Sequence, residues 1–159
     1  MNQKLLKLIA KNARMSLEDL ASATDLTVSA VAAELEEMEK SGVIRAYQAV
    51  VDWEKVDNTA VSALIELRVS PKAGLGFDEI AKKVMLYPEV ESVYLMSGGY
   101  DLCVIVKGKT FQEVAMFVSK RLATIDSVLS TATHFVLRRY KELDVVLNDD
   151  SRDERENLV

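Results

Sequence analysis

From residue 5 to residue 38, apolar side chains recur every three or four positions, which is the spacing of amphipathic helices. The pattern predicts three helices within roughly residues 2–42, with apolar positions at Leu5, Leu6, Ile9, Ala13, Leu17, Leu20, Ala21, Val31, Leu35 and Met38. Asp25-Leu26-Thr27 separates the second helix from the third, and Thr27 is the expected N-cap. Gly42 stands where a helix C-terminus favours a left-handed residue. Helix, turn and longer helix together predict a helix-turn-helix over residues 16–44.

The period changes beyond residue 59, where apolar and polar residues alternate as they do along a β-strand. The pattern predicts strands over 61–69, Val90–Ser97, Asp101–Lys107 and Val128–Tyr140, with helical stripes over 77–84 and 111–122. Breaks are expected at Pro71, Gly74, Gly76 and Pro88. The resulting order, β-α-β-β-α-β, is the ferredoxin-like arrangement.

An internal repeat supports two βαβ halves. Phe77-Asp-Glu-Ile-Ala81 reappears as Phe111-Gln-Glu-Val-Ala115, and Glu91-Ser-Val93 reappears as Asp126-Ser-Val128. The predicted fold class is therefore α+β, with an N-terminal three-helix helix-turn-helix domain followed by a ferredoxin-like βαββαβ domain.

Domain boundaries follow from these patterns. Residues 1–44 form the helix-turn-helix domain, 45–58 a β-linker, 59–144 the ferredoxin-like domain and 145–159 an acidic tail. The segment from Val43 to Trp53 is rich in β-forming residues and predicts a strand, after which Trp53 is expected to be a packing anchor.

Several predicted strands are apolar on both faces, as in the third, where Leu102, Val104 and Val106 oppose Cys103 and Ile105. A ferredoxin-like sheet carries helices on one face only, so the other would be exposed to water. Because a sizeable apolar face rarely stays exposed, sheet-to-sheet dimerisation is expected.

The formal net charge of −5 argues against a general polyanion binder. Residues 1–44 carry five basic and seven acidic residues, residues 45–144 thirteen of each, and residues 145–159 two and five. The excess acidity therefore lies in the N-terminal helices and in the tail, while the ferredoxin-like region is balanced.

Candidate catalytic chemistry is absent from the sequence, which shows no base–nucleophile set and no phosphate-binding glycine loop. The single histidine, His134, has no partners at metal-ligand spacing, so neither a metal nor another cofactor is expected; a sheet-face or interface position is expected instead. Cys103 is expected to be a buried structural thiol. Without a signal peptide or a spanning apolar run, the protein is expected to be soluble and cytoplasmic, with no membrane partner.

A helix-turn-helix reads bases with side chains near the start of its second helix. The candidate DNA-binding residues are Thr27, Ser29, Ala30, Ala33 and Glu34. None of them is Arg, Lys, Asn or Gln, the usual base readers, although Ser29 and backbone amides can hold phosphates. Non-specific attraction can come from Lys4, Lys7, Lys11, Arg14, Lys40 and Arg45. We therefore expect double-stranded DNA to be bound with modest affinity per dimer.

The chain resembles the Lrp/AsnC family, the feast/famine transcription regulators. The matching stretches are Gly42-Val-Ile-Arg-Ala-Tyr47, Pro88-Glu-Val90, Ser97-Gly-Gly-Tyr-Asp101 and Leu129-Ser-Thr-Ala-Thr133. The resemblance implies a RAM-type C-terminal domain through which homodimers form, often assembling into octamers. It also implies a small effector, commonly an amino acid, bound between dimers near the glycine turn. The non-basic recognition helix and a short first helix without an Asp-rich start depart from the family pattern.

The candidate effector-binding residues are Ser97, Gly98, Gly99, Tyr100, Asp101, Thr131 and Thr133. In the functional interpretation, glycine amides approach a carboxylate while Asp101 faces an ammonium, which is the pairing that an amino-acid zwitterion requires. Threonine hydroxyls on one strand face complete the pocket. In the structural interpretation, the two glycines supply positive φ in a tight hairpin, Asp101 bonds to backbone, and the threonines are ordinary strand formers.

Three functions compete. The leading hypothesis is a DNA-binding transcriptional regulator with an oligomerising, effector-sensing domain. The second is an effector-sensing or interaction module whose helix-turn-helix no longer reads DNA sequence-specifically. The third, an enzyme on a ferredoxin-like fold, has no catalytic constellation to support it.

Overall fold

Helices form the first part of the chain and an antiparallel sheet with two covering helices forms the second, which confirms the α+β fold class. The computed structural model describes residues 2–56, 60–70 and 76–147. The chain falls into two units, residues 1–51 and 52–159. Pro71 and Gly74, where breaks are predicted, lie outside the described residues, as do the end of the linker at residues 57–58 and most of the predicted tail.

The first unit contains three helices: α1 (Gln3–Lys11), α2 (Leu17–Thr24) and α3 (Val28–Lys40). Their predicted apolar stripes meet in one core, made of Leu5, Ile9, Leu20, Ala21, Val31 and Met38. Helix α1 ends earlier than the prediction through Ala13, which is exposed. The cause is local, because the Asn12 side chain accepts a hydrogen bond from the Arg14 N–H and so competes with a further helical turn.

Side-chain caps fix where these helices begin and end. The Asn2 side chain accepts from the N–H groups of Lys4 and Leu5 at 3.0 and 3.2 Å, and so supplies the cap that an Asp-rich start would otherwise give. The Thr27 hydroxyl accepts from the Ala30 N–H at 3.2 Å, which confirms the predicted N-cap of α3. Asp25 closes α2 with φ 58°, and Gly42 follows α3 with φ 72°.

The second unit contains strands β1 (Val61–Val69), β2 (Val90–Leu95), β3 (Leu102–Gly108) and β4 (Val128–Phe135). Helix α4 (Gly76–Val84) joins β1 to β2, and α5 (Phe111–Phe117) continues as a π turn over Val118–Leu122 before β4. The strand order is β2-β3-β1-β4, with every pairing antiparallel. This is the predicted ferredoxin-like topology, and the repeated Phe-x-Glu-x-Ala motif falls on α4 and α5.

The two faces of this sheet differ in what covers them. Helices α4 and α5 pack on the face that carries Ala63, Ile65 and Leu67 of β1 with the matching residues of β3, and the resulting core is fully buried. The opposite face, here called the open face, pairs Leu64 with Ile105 and His134, and Glu66 with Cys103 and Ala132. Within the described part of the second unit, the helices that form the core with the sheet lie on the other face.

Three expectations about strands and packing are wrong. No strand forms over the described linker residues 43–56, since a strand needs a hydrogen-bonding partner and this segment pairs with none there. Strand β4 ends at Phe135 rather than Tyr140, because its pairing with β1 stops at Ala63, and beyond that pair only the Val136 N–H bonds to β1, donating to the Ser62 carbonyl at 2.9 Å. Trp53 starts a short 3-10 turn and is 48% exposed, so it is not a packing anchor within the described chain.

A small hairpin follows β4 that the sequence pattern did not predict. Strands β5 (Lys141–Glu142) and β6 (Val145–Val146) pair across Leu143 and Asp144, whose φ angles are 44° and 69°. Two consecutive positive φ values are the signature of a tight hairpin turn, usually formed by Asn-Gly rather than Leu-Asp. The folded structure therefore continues through the start of the segment predicted as an acidic tail.

Candidate functional site

The start of α3 is the first candidate site. Thr27 caps the helix, and its Oγ1 also lies 3.1 Å from the Ser29 hydroxyl. Ser29 and Ala33 are exposed, whereas Ala30 is half-buried. The Glu34 carboxylate accepts a hydrogen bond from the Asn2 N–H at 3.1 Å, so this residue also holds the start of α1 against α3. Of the five candidate DNA-binding residues, the helix therefore presents Ser29 and Ala33 most openly.

Charges in the first unit are segregated. Residues 2–14 carry Lys4, Lys7, Lys11 and Arg14, all exposed, and no acidic residue. The acids lie on α2 and α3, where Glu36 forms an ion pair of 2.5 Å with Lys40. Electrostatic attraction for a phosphate backbone is thus concentrated on α1 and its following turn.

The segment after α3 folds back onto that helix. The Tyr47 hydroxyl donates a hydrogen bond of 2.7 Å to the Glu39 carboxylate, and this bond, with burial, raises the pKa of Tyr47. Arg45 lies over Gly42, since a Cβ added to Gly42 would come within 3.1 Å of Arg45 Cζ. The Glu39 carboxylate therefore already has a hydrogen-bond partner within the protein. Fewer polar side chains of α3 are left to bind another molecule.

The second candidate site is the connection between β2 and β3, residues 96–101, here called the glycine loop. It docks on the end of β1, because the Asp101 N–H donates to the Leu67 carbonyl at 3.0 Å and the Asp101 Oδ2 accepts from the Val69 N–H at 2.8 Å. The Met96 N–H closes the loop by donating to the Asp101 carbonyl at 2.8 Å. The Asp101 carboxylate is therefore held in place by the Val69 N–H. That bond uses one of the two carboxylate oxygens.

The two glycines of this loop do not have the backbone geometry that the structural interpretation predicts. Neither Gly98 nor Gly99 has a positive φ, and the connection is six residues long rather than a tight two-residue turn. A Cβ added to either glycine meets no atom within 4 Å. No contact within the described chain therefore requires glycine at these two positions.

The two candidate threonines do not join the glycine loop within one chain. Thr131 and Thr133 pair with Leu67 and Ile65, so they share the helix-covered face of the sheet, as predicted for their common strand face. Thr131 and Leu102 lie on opposite sides of Leu67, about two strand spacings or roughly 10 Å apart. A pocket that uses both the loop and the threonines would need a further surface to bridge them.

Tyr100 extends the glycine loop toward the open face. Burial, then the neighbouring Cys103 and Glu66, raise the pKa of its hydroxyl. Cys103 is 5% exposed and free, which confirms the expected buried thiol, and burial raises the pKa of that thiol. His134 lies on the same face, with Nε2 at 3.2 Å from Glu66 Oε1, as expected of a sheet-face histidine.

A cleft that the sequence did not predict opens beside α4, with a volume of about 310 Å³. Its lining residues are Gly76, Glu79, Ile80, Lys83, Thr124, Ile125, Asp126 and Ser127. None of these is a candidate effector-binding residue. The sequence signals at this position are the predicted break at Gly76 and the Ser-Val repeat that includes Asp126 and Ser127.

Within the described ranges, no group of three or more His, Cys, Asp or Glu side chains could hold a metal ion. In the same part of the chain, no helix has the length and apolar character needed to cross a membrane.

Comparison with known proteins gives these sites their context. The profile of the Lrp/AsnC ligand binding domain matches residues 62–146, and that of a winged helix-turn-helix DNA-binding domain matches residues 2–45. The chain is 44% identical over 153 residues to the HTH-type transcriptional regulator YugG of Bacillus subtilis, covering 96% of this chain and 92% of YugG. It is 28% identical over 141 residues to the regulator FL11 of Pyrococcus furiosus, covering 89% and 90%.

Among solved structures, a transcriptional regulator of Neisseria meningitidis in complex with L-Met matches with a TM-score of 0.70. The two chains are 26% identical, and the match covers 87% of this chain and 89% of that one. A helix-turn-helix joined to a ferredoxin-like ligand-binding domain defines a class of transcriptional regulators. The chain belongs to the Lrp/AsnC family, and it is a transcriptional regulator with a DNA-binding and a ligand-binding domain.

Proposed function

We propose that this regulator binds double-stranded DNA through α3, senses an amino acid at the glycine loop, and assembles as a homodimer that can build octamers. The observation that carries the effector assignment is the glycine loop itself. It places a backbone-fixed carboxylate, Asp101, beside two glycines whose Cβ positions are empty. Backbone N–H groups and a carboxylate are what the two poles of an amino-acid zwitterion require.

Support for an amino acid also comes from the Neisseria meningitidis relative, whose structure contains L-Met. α-Amino acids share an ammonium and a carboxylate and differ in their side chains. The proposed contacts bind the two shared groups, so they define the class of effector, and other residues must select its side chain. The distance between Thr131 and the loop favours a site completed by a second chain.

The open face supports assembly. Leu64 and Ile105 are only half-buried, and Tyr94 beside Cys103 is 54% exposed. A second copy packed on this face would remove apolar surface from water, which is the dominant favourable contribution to protein association. The matching face of the copy makes the contact self-complementary, as a two-fold dimer requires.

The DNA interaction rests on α1 for attraction and on α3 for contact with bases. Four exposed cations in residues 2–14 can neutralise phosphates, whereas α3 contributes a single cation, and that cation is paired with Glu36. Each domain should therefore neutralise few phosphates. Linking two or more domains in one assembly raises overall avidity by about 10²–10⁴.

A second candidate function keeps the same effector site but loses sequence-specific DNA reading, so that the first unit serves as a partner surface. The observation that favours it is the absence of Arg, Lys, Asn and Gln from residues 27–39. The two candidates make opposite predictions about competition by unrelated DNA.

Fluorescence anisotropy of the full chain on labelled DNA from its own upstream region tests the DNA assignment. We expect saturable binding that a tenfold mass excess of unrelated DNA does not abolish. We also expect that replacing Lys4, Lys7 and Lys11 with Gln lowers the slope of log K against log salt by about one for each phosphate that is no longer neutralised. The matched control replaces Lys82 and Lys83 of α4 with Gln and should leave the slope unchanged.

If unrelated DNA competes equally well, the second candidate replaces the first. If the full chain binds no DNA at 50 mM salt, the proposed DNA-binding function is wrong.

A further inference from the structure

The outward surface at the start of α3 is small and largely apolar. Val28, the first residue of the helix, is 40% exposed, and Ala33 is exposed more than one turn later. Ser29 is the exposed hydroxyl between them. These are the positions that a helix-turn-helix presents to base edges in the major groove.

Three longer polar side chains around this surface have partners in the protein, whereas Glu37 is exposed and can accept a hydrogen bond from a cytosine N4 amino group. Glu34 accepts from the Asn2 N–H, Glu36 pairs with Lys40, and Glu39 accepts from the Tyr47 hydroxyl. The Thr27 hydroxyl caps the helix. These internal interactions restrain the orientation of the groups that make them.

The remaining groups restrict which bases can be recognised. Guanine and adenine are usually read by bidentate contacts from Arg, Lys, Asn or Gln, and residues 27–39 contain none of these. Thymine presents a C5 methyl group in the major groove, which is recognised by apolar contact. An exposed Val and an exposed Ala offer that contact and no competing hydrogen bond.

We propose that α3 selects its DNA by contact of Val28 and Ala33 with thymine C5 methyl groups, with the Ser29 hydroxyl bonding to an adjacent base edge or phosphate. The inference rests on the proposed DNA-binding function and adds base preference to it. Five residues of helix span about 7.5 Å, or about two base steps, so each half-site should carry thymines two or three positions apart.

The experiment selects duplexes for the full chain from a random library and then replaces thymine with deoxyuridine in the selected half-sites. Deoxyuridine lacks only the C5 methyl group and keeps base pairing intact. We expect the selected sites to share thymines at the stated spacing. We expect affinity to fall about fourfold for each contacted methyl group removed, the value of one buried methylene-sized group. Deoxyuridine placed in the flanking sequence is the control and should have no effect.

Two variants connect the effect to the named side chains. Val28→Ser and Ala33→Ser keep small side chains at exposed positions, so the fold, checked by circular dichroism, should be unchanged. Each should lower the thymine-to-deoxyuridine affinity ratio by about fourfold at one position only. Equal affinity for both duplexes, a ratio unaffected by either variant, or selected sites without thymine would each overturn the proposal. Failure to bind any DNA would instead contradict the proposed function itself.

Discussion

Asp101 shows how one side chain can serve both fold and function. Its carboxylate accepts from the Val69 N–H at 2.8 Å and so holds the glycine loop on β1. The structural interpretation predicts this bond to the backbone, and the bond is confirmed. The same interpretation predicts positive φ angles at the two glycines, and that prediction is wrong. The negative charge is more than a structural role demands, because a neutral carbonyl oxygen could accept the same bond.

Two substitutions separate these roles. Asp101→Asn keeps an oxygen acceptor for Val69 and removes the charge, so we expect stability within about 1 kcal/mol of the wild type. Amino-acid binding, measured by calorimetry, should weaken by about 1.5–3 kcal/mol because a charge-assisted bond is removed. Asp101→Ala removes the acceptor as well and should also lower the free energy of unfolding by roughly 1–3 kcal/mol.

The purely structural account predicts that Asp101→Asn leaves ligand affinity unchanged and that only Asp101→Ala, which removes the acceptor for Val69, lowers the free energy of unfolding. That result, or the absence of amino-acid binding by the wild type at millimolar concentration, would remove Asp101 from the proposed site.

At the level of elements, local signals explain most of what the sequence predicts. The start of α3 follows from Thr27, and the central strands follow from strict alternation, since both signals lie within a few residues of their effect. Strand β4 is different because its end depends on where its pairing with β1, far away in the chain, stops. The linker likewise depends on a partner strand. To predict where the threonines lie relative to the glycine loop, one must know the strand order and register of the sheet. The periodicity of the sequence does not contain that information.

Gly42 offers a test of one such local signal. Its φ of 72° places it in the left-handed region, where an L-residue costs roughly 1–2 kcal/mol. Gly42→Ala should therefore destabilise the first unit by about that amount in thermal unfolding. Gly98→Ala is the control, because its φ is not positive and its Cβ would meet no atom within 4 Å; its stability should stay within about 0.5 kcal/mol of the wild type. Equal melting temperatures for the two variants would contradict this assignment.

At the scale of the whole molecule, the proposed assembly depends on the open face. Exposed apolar residues of the described chain are numerous, but on the open face the half-buried Leu64 and Ile105 lie in register on adjacent strands, and the exposed Tyr94 lies on the strand beyond them. A continuous surface of this kind favours association, whereas scattered apolar residues are normal on a protein surface.

Leu64→Lys should therefore weaken dimerisation, because a lysine buried between two sheets would lose its hydration. We expect light scattering at micromolar concentration to give at least a dimer for the wild type and a folded monomer for this variant. Leu86→Lys makes the same chemical change at a residue that is 82% exposed near α4, and should leave the assembly unchanged. A wild-type monomer, or a folded Leu64→Lys variant that assembles normally, would contradict the proposed interface.

A regulator that senses an amino acid should couple effector binding to DNA binding, and one titration tests this coupling most directly. The Kd of the full chain for its upstream DNA is measured by anisotropy without effector and with each amino acid at millimolar concentration. Because coupling between two sites is typically about 1–3 kcal/mol, we expect at least one amino acid to change the Kd about five-fold or more, and Asp101→Asn to reduce that change. Identical Kd values for the wild type with every amino acid would contradict the account.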